Sequence, residues 1–227
     1  MKKIISIMML MIISLSVYAN DIYINQSGAT LDLDVLQDGQ NNTIGSSGTA
    51  SSVIGATTNL AITQIGDSNV MTFDVNGATY TGTFSVTGNS NNIDFNCDSG
   101  GSNSSCGTAT ASIVWVGSSN DIDIDIGETS SATGATVSIT GASGSDSNTV
   151  LATIDGNSAI LTLSINGDTN NFLVDIDGNG DSIGHTYVHT HTGSIADVDI
   201  TQSGIYDNMI TLTTSGDNHD IDIIQRD

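Results

Sequence analysis

Three histidines share one parity in His185-Thr186-Tyr187-Val188-His189-Thr190-His191. In an extended strand they point to one side, and three imidazoles can hold zinc or copper. No Cys or acidic fourth ligand accompanies them, so a polar strand within an insertion is the preferred reading. Just upstream, Asp175-x-Asp177-x-Asn179-Gly180-Asp181 opens like a calcium loop. Asp175, Asp177, Asn179 and Asp181 would be its ligands, but the twelfth position is Thr186 where a bidentate Glu is required. Two outward strand aspartates followed by a turn explain the segment as well. The cofactor expectation is therefore none, with calcium the one candidate. Catalytic signatures are absent: there is no Gly-x-Ser-x-Gly elbow, His-Glu-x-x-His or phosphate loop. A β-helix enzyme acting on acidic sugars needs basic residues, and the chain has three Lys and Arg in all. The chain is read as not an enzyme. Outward Thr looks scattered along the sequence, which speaks against a regular ice-binding face.

Amides recur more often than any of these groups, in apolar-x-Gly-x-x-Asn phrases. Gln64-Ile65-Gly66-Asp67-Ser68-Asn69 is the clearest, and Asn42, Asn91, Asn120 and Asn170 close similar ones. The glycines of the pattern are Gly28, Gly39, Gly66, Gly88, Gly117, Gly156, Gly167, Gly204 and Gly216. From Gly66 through Gly77 to Gly88 the step is 11 residues each time, as it is from Gly156 through Gly167 to Gly178. A fixed period means stacked repeats. The expected fold is an all-β solenoid of short strands, about 11 residues per strand-turn unit and about 22 per coil. The competing architecture is an antiparallel sandwich with turns every 8–12 residues; the equal pitch favours the solenoid. Longer gaps at 43–58, 97–106, 128–135 and 181–194 read as loops inserted at the turns.

Alternation then sorts the side chains. Leu60, Ile62 and Gln64, then Asn69, Met71, Phe73 and Val75, share one face; so do Asn120, Ile122, Ile124 and Ile126, and Asn170, Phe172, Val174 and Ile176. The opposite face takes Asp74, Asp121, Asp123, Asp125, Asp175, Asp177, Asp197, Asp199, Asp220 and Asp222. A slip of one residue would bury the aspartates. Inward amides need partners, and the same amide one rung away supplies them. The expected stacking ladder is Gln26, Gln37, Gln64, Gln202 and Gln225 with Asn42, Asn69, Asn91, Asn120 and Asn170. Glycine is expected at each turn for its freedom to adopt positive φ. His219 occupies the Asn slot of the last turn and is read as structural.

Residues 1–19 read as a secretory signal peptide: Lys2 and Lys3, an apolar run Ile4 to Leu15, and Val17-Tyr18-Ala19 before the cut. Residues 20–227 form one repeat domain. The formal net charge is −22, and beyond the leader only Arg226 is basic. Such a surface repels nucleic acid and anionic lipid, so neither is an expected partner, and no later segment is apolar enough to insert in a membrane. Salt or calcium is expected to relieve the repulsion. In an exported chain, Cys97 and Cys106 around a Gly/Ser loop read as a disulfide.

The repeat resembles the curlin repeat, Gln-x-Gly-x-x-Asn-x-Ala-x-x-x-Gln, with two strands per unit. Gln64, Gly66 and Asn69 match its first half, as do Gln37, Gly39 and Asn42. Gln26, Gly28 and Gln37 carry the Gln–Gln distance, with Leu31 in the Asn slot; Gln202 and Gly204 match again, with Asn208 displaced by one residue. The chain departs from the pattern at Val75, Val86, Trp115, Ile154, Ile165 and Ile176, and it lacks a Gly/Asn-rich export segment after the leader. The resemblance implies a secreted subunit of curli-type amyloid fibres at the bacterial outer surface, serving biofilm and adhesion. Its partners would be further copies of itself, a nucleator and an outer-membrane exporter. The alternative is a non-polymerising extracellular solenoid adhesin that binds a glycan or surface through its insertions.

Overall fold

The computed structural model describes residues 21–39, 41–45, 50–66, 68–88, 90–97, 106–117, 119–127, 132, 134–142, 147–177, 185–204 and 208–226. Within them lie sixteen strands. The first four are β1 (Asp21–Ile22), β2 (Asn25–Asp38), β3 (Thr43–Ile44) and β4 (Ser51–Ile65). There follow β5 (Val70–Thr87), β6 (Ser90–Cys97), β7 (Cys106–Val116), β8 (Ser119–Ile126), β9 (Gly134–Gly141) and β10 (Thr149–Asp155). The last are β11 (Ile160–Asn166), β12 (Asn170–Asp177), β13 (Thr186–Thr192), β14 (Ala196–Gln202), β15 (Met209–Ser215) and β16 (Asp220–Gln225).

Every strand pairing is parallel, and each later strand pairs with the one two places on, as β8 with β10 and β12 with β14. This is a parallel β-solenoid, not an antiparallel sandwich. Each turn contributes one strand to each of two opposed faces. The first face is β6, β8, β10, β12, β14 and β16, and the second is β7, β9, β11, β13 and β15; β5 is long enough to cross the corner and serve both. From β5 to β16 this makes about six turns of ~26 residues, and β1 to β4 continue both faces toward the N-terminus. The 22-residue coil holds where no loop intervenes, as in Val70↔Asn92. Insertions stretch it to 29 at Ser90↔Ser119.

Alternation fills the space between the faces. Ile122, Ile124 and Ile126 of the first face and Val137 and Ile139 of the second are buried, while Asp121 and Thr136 point to solvent. Aromatic pairs bridge the faces: Phe73 and Phe84 have ring centroids 6.0 Å apart, and Tyr80 stacks on Phe95 at 5.0 Å. Such pairs add about 0.5–1.5 kcal/mol beyond their area. Cys97 and Cys106 form a disulfide that ties the end of β6 to the start of β7.

Two inserted loops of the sequence reading are corrected. Within 43–58, Thr43–Ile44 and Ser51 onward are strand. Within 181–194, Thr186–Thr192 is β13, paired on both sides with β11 and β15. In both segments apolar or aromatic inward residues (Ile44 and Val53; Tyr187) complete the core.

Candidate functional site

The Gly-x-x-Asn phrase has a local cause. The Asn side chain folds back and closes its own turn: Asn120 Nδ2 donates to Gly117 O at 2.9 Å, Asn170 to Gly167 O at 2.6 Å and Asn91 to Gly88 O at 3.2 Å. The other amide hydrogen reaches the next rung. Asn91 donates to Asn120 Oδ1 at 2.6 Å, Asn120 to Asn148 Oδ1 at 2.7 Å and Asn148 to Asn170 Oδ1 at 2.6 Å. All four are buried, where an unmet amide would cost about 1–3 kcal/mol. Asn148 escaped the sequence reading because its nearest preceding glycine, Gly144, stands four residues back instead of three.

The other expected ladder members separate. Gln37 and Gln64 do stack, with Gln64 Nε2 donating to Gln37 Oε1 at 2.8 Å. Asn42 instead binds backbone, donating to Gln37 O at 2.9 Å and Ile65 O at 2.8 Å. Asn69 is buried with no amide hydrogen bond of this kind. Gln26 lies opposite Val53. Gln202 and Gln225 are in register, yet the Gln225 amide donates to Asn208 O. The glutamines thus make one pair, and the asparagines make the continuous ladder.

Four of the expected turn glycines, Gly66, Gly88, Gly117 and Gly216, are required by close approach of the neighbouring rung. A Cβ on Gly66 would lie 1.6 Å from Gly39 O, one on Gly88 1.7 Å from Gly66 O, and one on Gly117 1.7 Å from Gly88 O. Gly193 and Gly216 repeat this lower down, over Gly167 O and Gly193 O. Gly28 belongs to the opposite corner, in register with Gly55 and through it with Gly77.

The histidines lie in the core, not in an insertion. His185, His189 and His191 are buried; His189 sits between Leu163 and Leu212 in the β-ladder, edge-on to Phe172 at 4.6 Å. Tyr187 Oη and His189 Nδ1 are 2.8 Å apart. Burial and the neighbouring His191 push the His189 imidazole down to about 4. His191 is lowered as well, chiefly by burial. Register places Ala196 over Asn170, so the asparagine column would end there. His191 Nε2 takes over, 2.7 Å from Asn170 Nδ2, and the His191 ring packs on His219 at 5.4 Å. Asn170 Oδ1 accepts from Asn148 and its Nδ2 faces His191 Nε2, which also lies 2.9 Å from Gly167 O. Among the described residues no group of three or more His, Cys, Asp or Glu is placed to hold a metal. Asp175 and Asp177 stand on the outer side of β12, and Asn179 and Asp181 lie outside the described residues.

The outward faces differ in charge. On the first, Asp121, Asp123 and Asp125 stand beside Asp94, and Asp197 and Asp199 stand over Asp220 and Asp222. Burial, then Asp125, Asp94 and Asp121, push the Asp123 carboxyl up to about 6. The second face, from Asn59 of β4 through β15, carries no charged residue among those described. Its outward positions align in columns: Thr83, Ser112, Ser138, Thr162, Val188 and Thr211 form one. Thr81, Thr110, Thr136, Ile160 and Thr186 form a second. The expectation that outward Thr is scattered is corrected: it becomes regular only when partners 23 to 29 residues apart are superposed by the strand register.

These features define a parallel β-solenoid with an internal amide ladder. No family model, no curated protein and no solved structure matches the chain.

Proposed function

We propose that this chain is a secreted structural subunit that stacks end to end into extracellular fibres, as the curlin-repeat resemblance implies. One observation carries the reading. Ile221 and Ile223 are in register with Val198 and Ile200, which are buried, yet they are 36% and 47% exposed because they stand on the last rung. At the other end Ile22, Ile24, Leu31, Leu33 and Val35 are half-buried against the core. Among the described residues no element covers either end. An open rung offers unpaired backbone and an apolar interior, which is a template for another chain. Partners are then further copies, with a nucleator and an outer-membrane exporter serving the same assembly.

The test is seeded growth. The purified protein is followed by amyloid-dye fluorescence and electron microscopy, with Ile221→Lys/Ile223→Lys as the end-blocked variant. The expected result is a lag abolished by seeds in the native chain and no elongation by the variant. A native chain that stays monomeric at every concentration would sink the fibre reading and favour a solitary solenoid adhesin.

A further inference from the structure

The second face has a composition that neither the core nor end-to-end stacking calls for. The chain carries 25 acidic residues, yet the outward positions of β7, β9, β11, β13 and β15 include none. What replaces them is Thr and Ser, interrupted by Val114, Val116, Ile160, Asn166, Val188 and Met209. Thr110, Thr136 and Thr190 are exposed, and Ser138, Thr140 and Thr162 are half-exposed. Inward residues fix the fold, so these outward positions were free to be acidic, as their counterparts on the first face are.

Position matters as much as composition. Parallel, in-register strands repeat about every 4.8 Å across the sheet, and alternate residues repeat about every 7 Å along it. The columns therefore place hydroxyls and methyls on a two-dimensional lattice several rungs long. The pairing runs without a break from Thr79 to Thr87 against β7, and on through β9, β11, β13 and β15. Side-chain ladders hold stacked sheets flat, and the buried Asn91–Asn120–Asn148–Asn170 ladder runs along the edge of this face.

The ligand must suit such a lattice. Lack of charge removes ions and charged polymers. A second protein surface would strand the hydroxyls, since burying a hydroxyl without a partner is unfavourable. A crystalline polysaccharide calls for exposed aromatic rings to lie against its sugars. Here Tyr80, Phe84, Trp115 and Tyr187 of the same strands are all buried. What remains is a solid made of uncharged donors and acceptors at a small regular spacing, with room for methyls between them: crystalline water. We propose that the second face is an ice-binding surface, on which Thr and Ser hydroxyls hold ordered water in register and their methyls, with Val114 and Ile160, exclude the disordered remainder. This does not depend on fibre formation; a fibre would lengthen the same lattice.

The experiment is ice-affinity partition of the purified monomeric protein, with ice grown slowly from dilute solution and recrystallisation followed by microscopy. Thr110→Tyr/Thr136→Tyr disrupts the lattice, and Thr153→Tyr places the same bulk on the exposed acidic face. Circular dichroism establishes that each variant is folded; should the double Tyr variant not fold, Thr162→Lys takes its place. The expected result is several-fold enrichment of the native chain and of Thr153→Tyr in ice over an inert protein, with loss in the second-face variants. The proposal is overturned if the folded native chain stays in the liquid, if the second-face and first-face variants are retained alike, or if the face retains crystalline cellulose or a second copy while ignoring ice.

Discussion

The most consequential single residues are those whose protonation the core dictates. His189 is held neutral by burial down to about pH 4, against about 6.5 in an unfolded chain. The unfolded state therefore binds the extra proton first, and stability falls as pH drops from about 6.5 toward 4, by at most about 3 kcal/mol. Asp123 works oppositely. Its carboxyl is raised to about 6, so its contribution is full below about 3.9 and is lost as pH rises through 6. Replacing the pair Tyr187→Phe/His189→Leu, with Leu matching Leu163 and Leu212 on either side, should remove the His189 share of the acid-side loss and leave that of His191, which burial also lowers, with the carboxylate trend. Denaturant midpoints at pH 4, 5 and 7 would show it; a variant with the native chain's pH profile would exclude His189 as the cause. In the sequence these histidines read as polar residues of an insertion. Hydropathy alone hides that an imidazole beside Phe172 and a tyrosine hydroxyl can fill a core position.

At the scale of the strand and turn, the face assignments were legible because alternation is a local signal. Asn69, Met71, Phe73 and Val75 are buried and Asp74 is not, as their spacing requires. What strand pairing adds was not legible. Asn148 joins the ladder by register despite its irregular turn, and the Thr columns exist only between rungs. The glycines show the same limit. Gly88 has an ordinary φ, yet a Cβ there would fall 1.7 Å from Gly66 O and 2.2 Å from Asn69 Oδ1. Gly88→Ala should therefore cost several kcal/mol, well above the roughly 1 kcal/mol by which Ala and Gly differ in backbone preference. Chemical denaturation would measure it; a change below 1 kcal/mol would mean that the rungs can part without penalty.

For the molecule as a whole, the segregation of charge sets the response to ions. Asp94 stands against Asp123, and Asp199 against Asp222, one strand spacing apart. Like charges directly opposite destabilise a sheet, and partly exposed ones are screened within about 10 Å at 0.1 M salt. The melting temperature should rise with sodium chloride and rise further with calcium at equal ionic strength. Equal melting temperatures in chelator, in sodium chloride and in calcium would mean that repulsion along the first face contributes little.

The asparagine ladder is also a vector. Asn91, Asn120 and Asn148 each give an amide proton toward the C-terminal rung, and Asn120, Asn148 and Asn170 each accept from the N-terminal side. Parallel strands carry the same asymmetry in their backbone edges. A rod made of such units therefore has a head and a tail that are chemically different. The two tips of any one rod should therefore lengthen at unequal speeds.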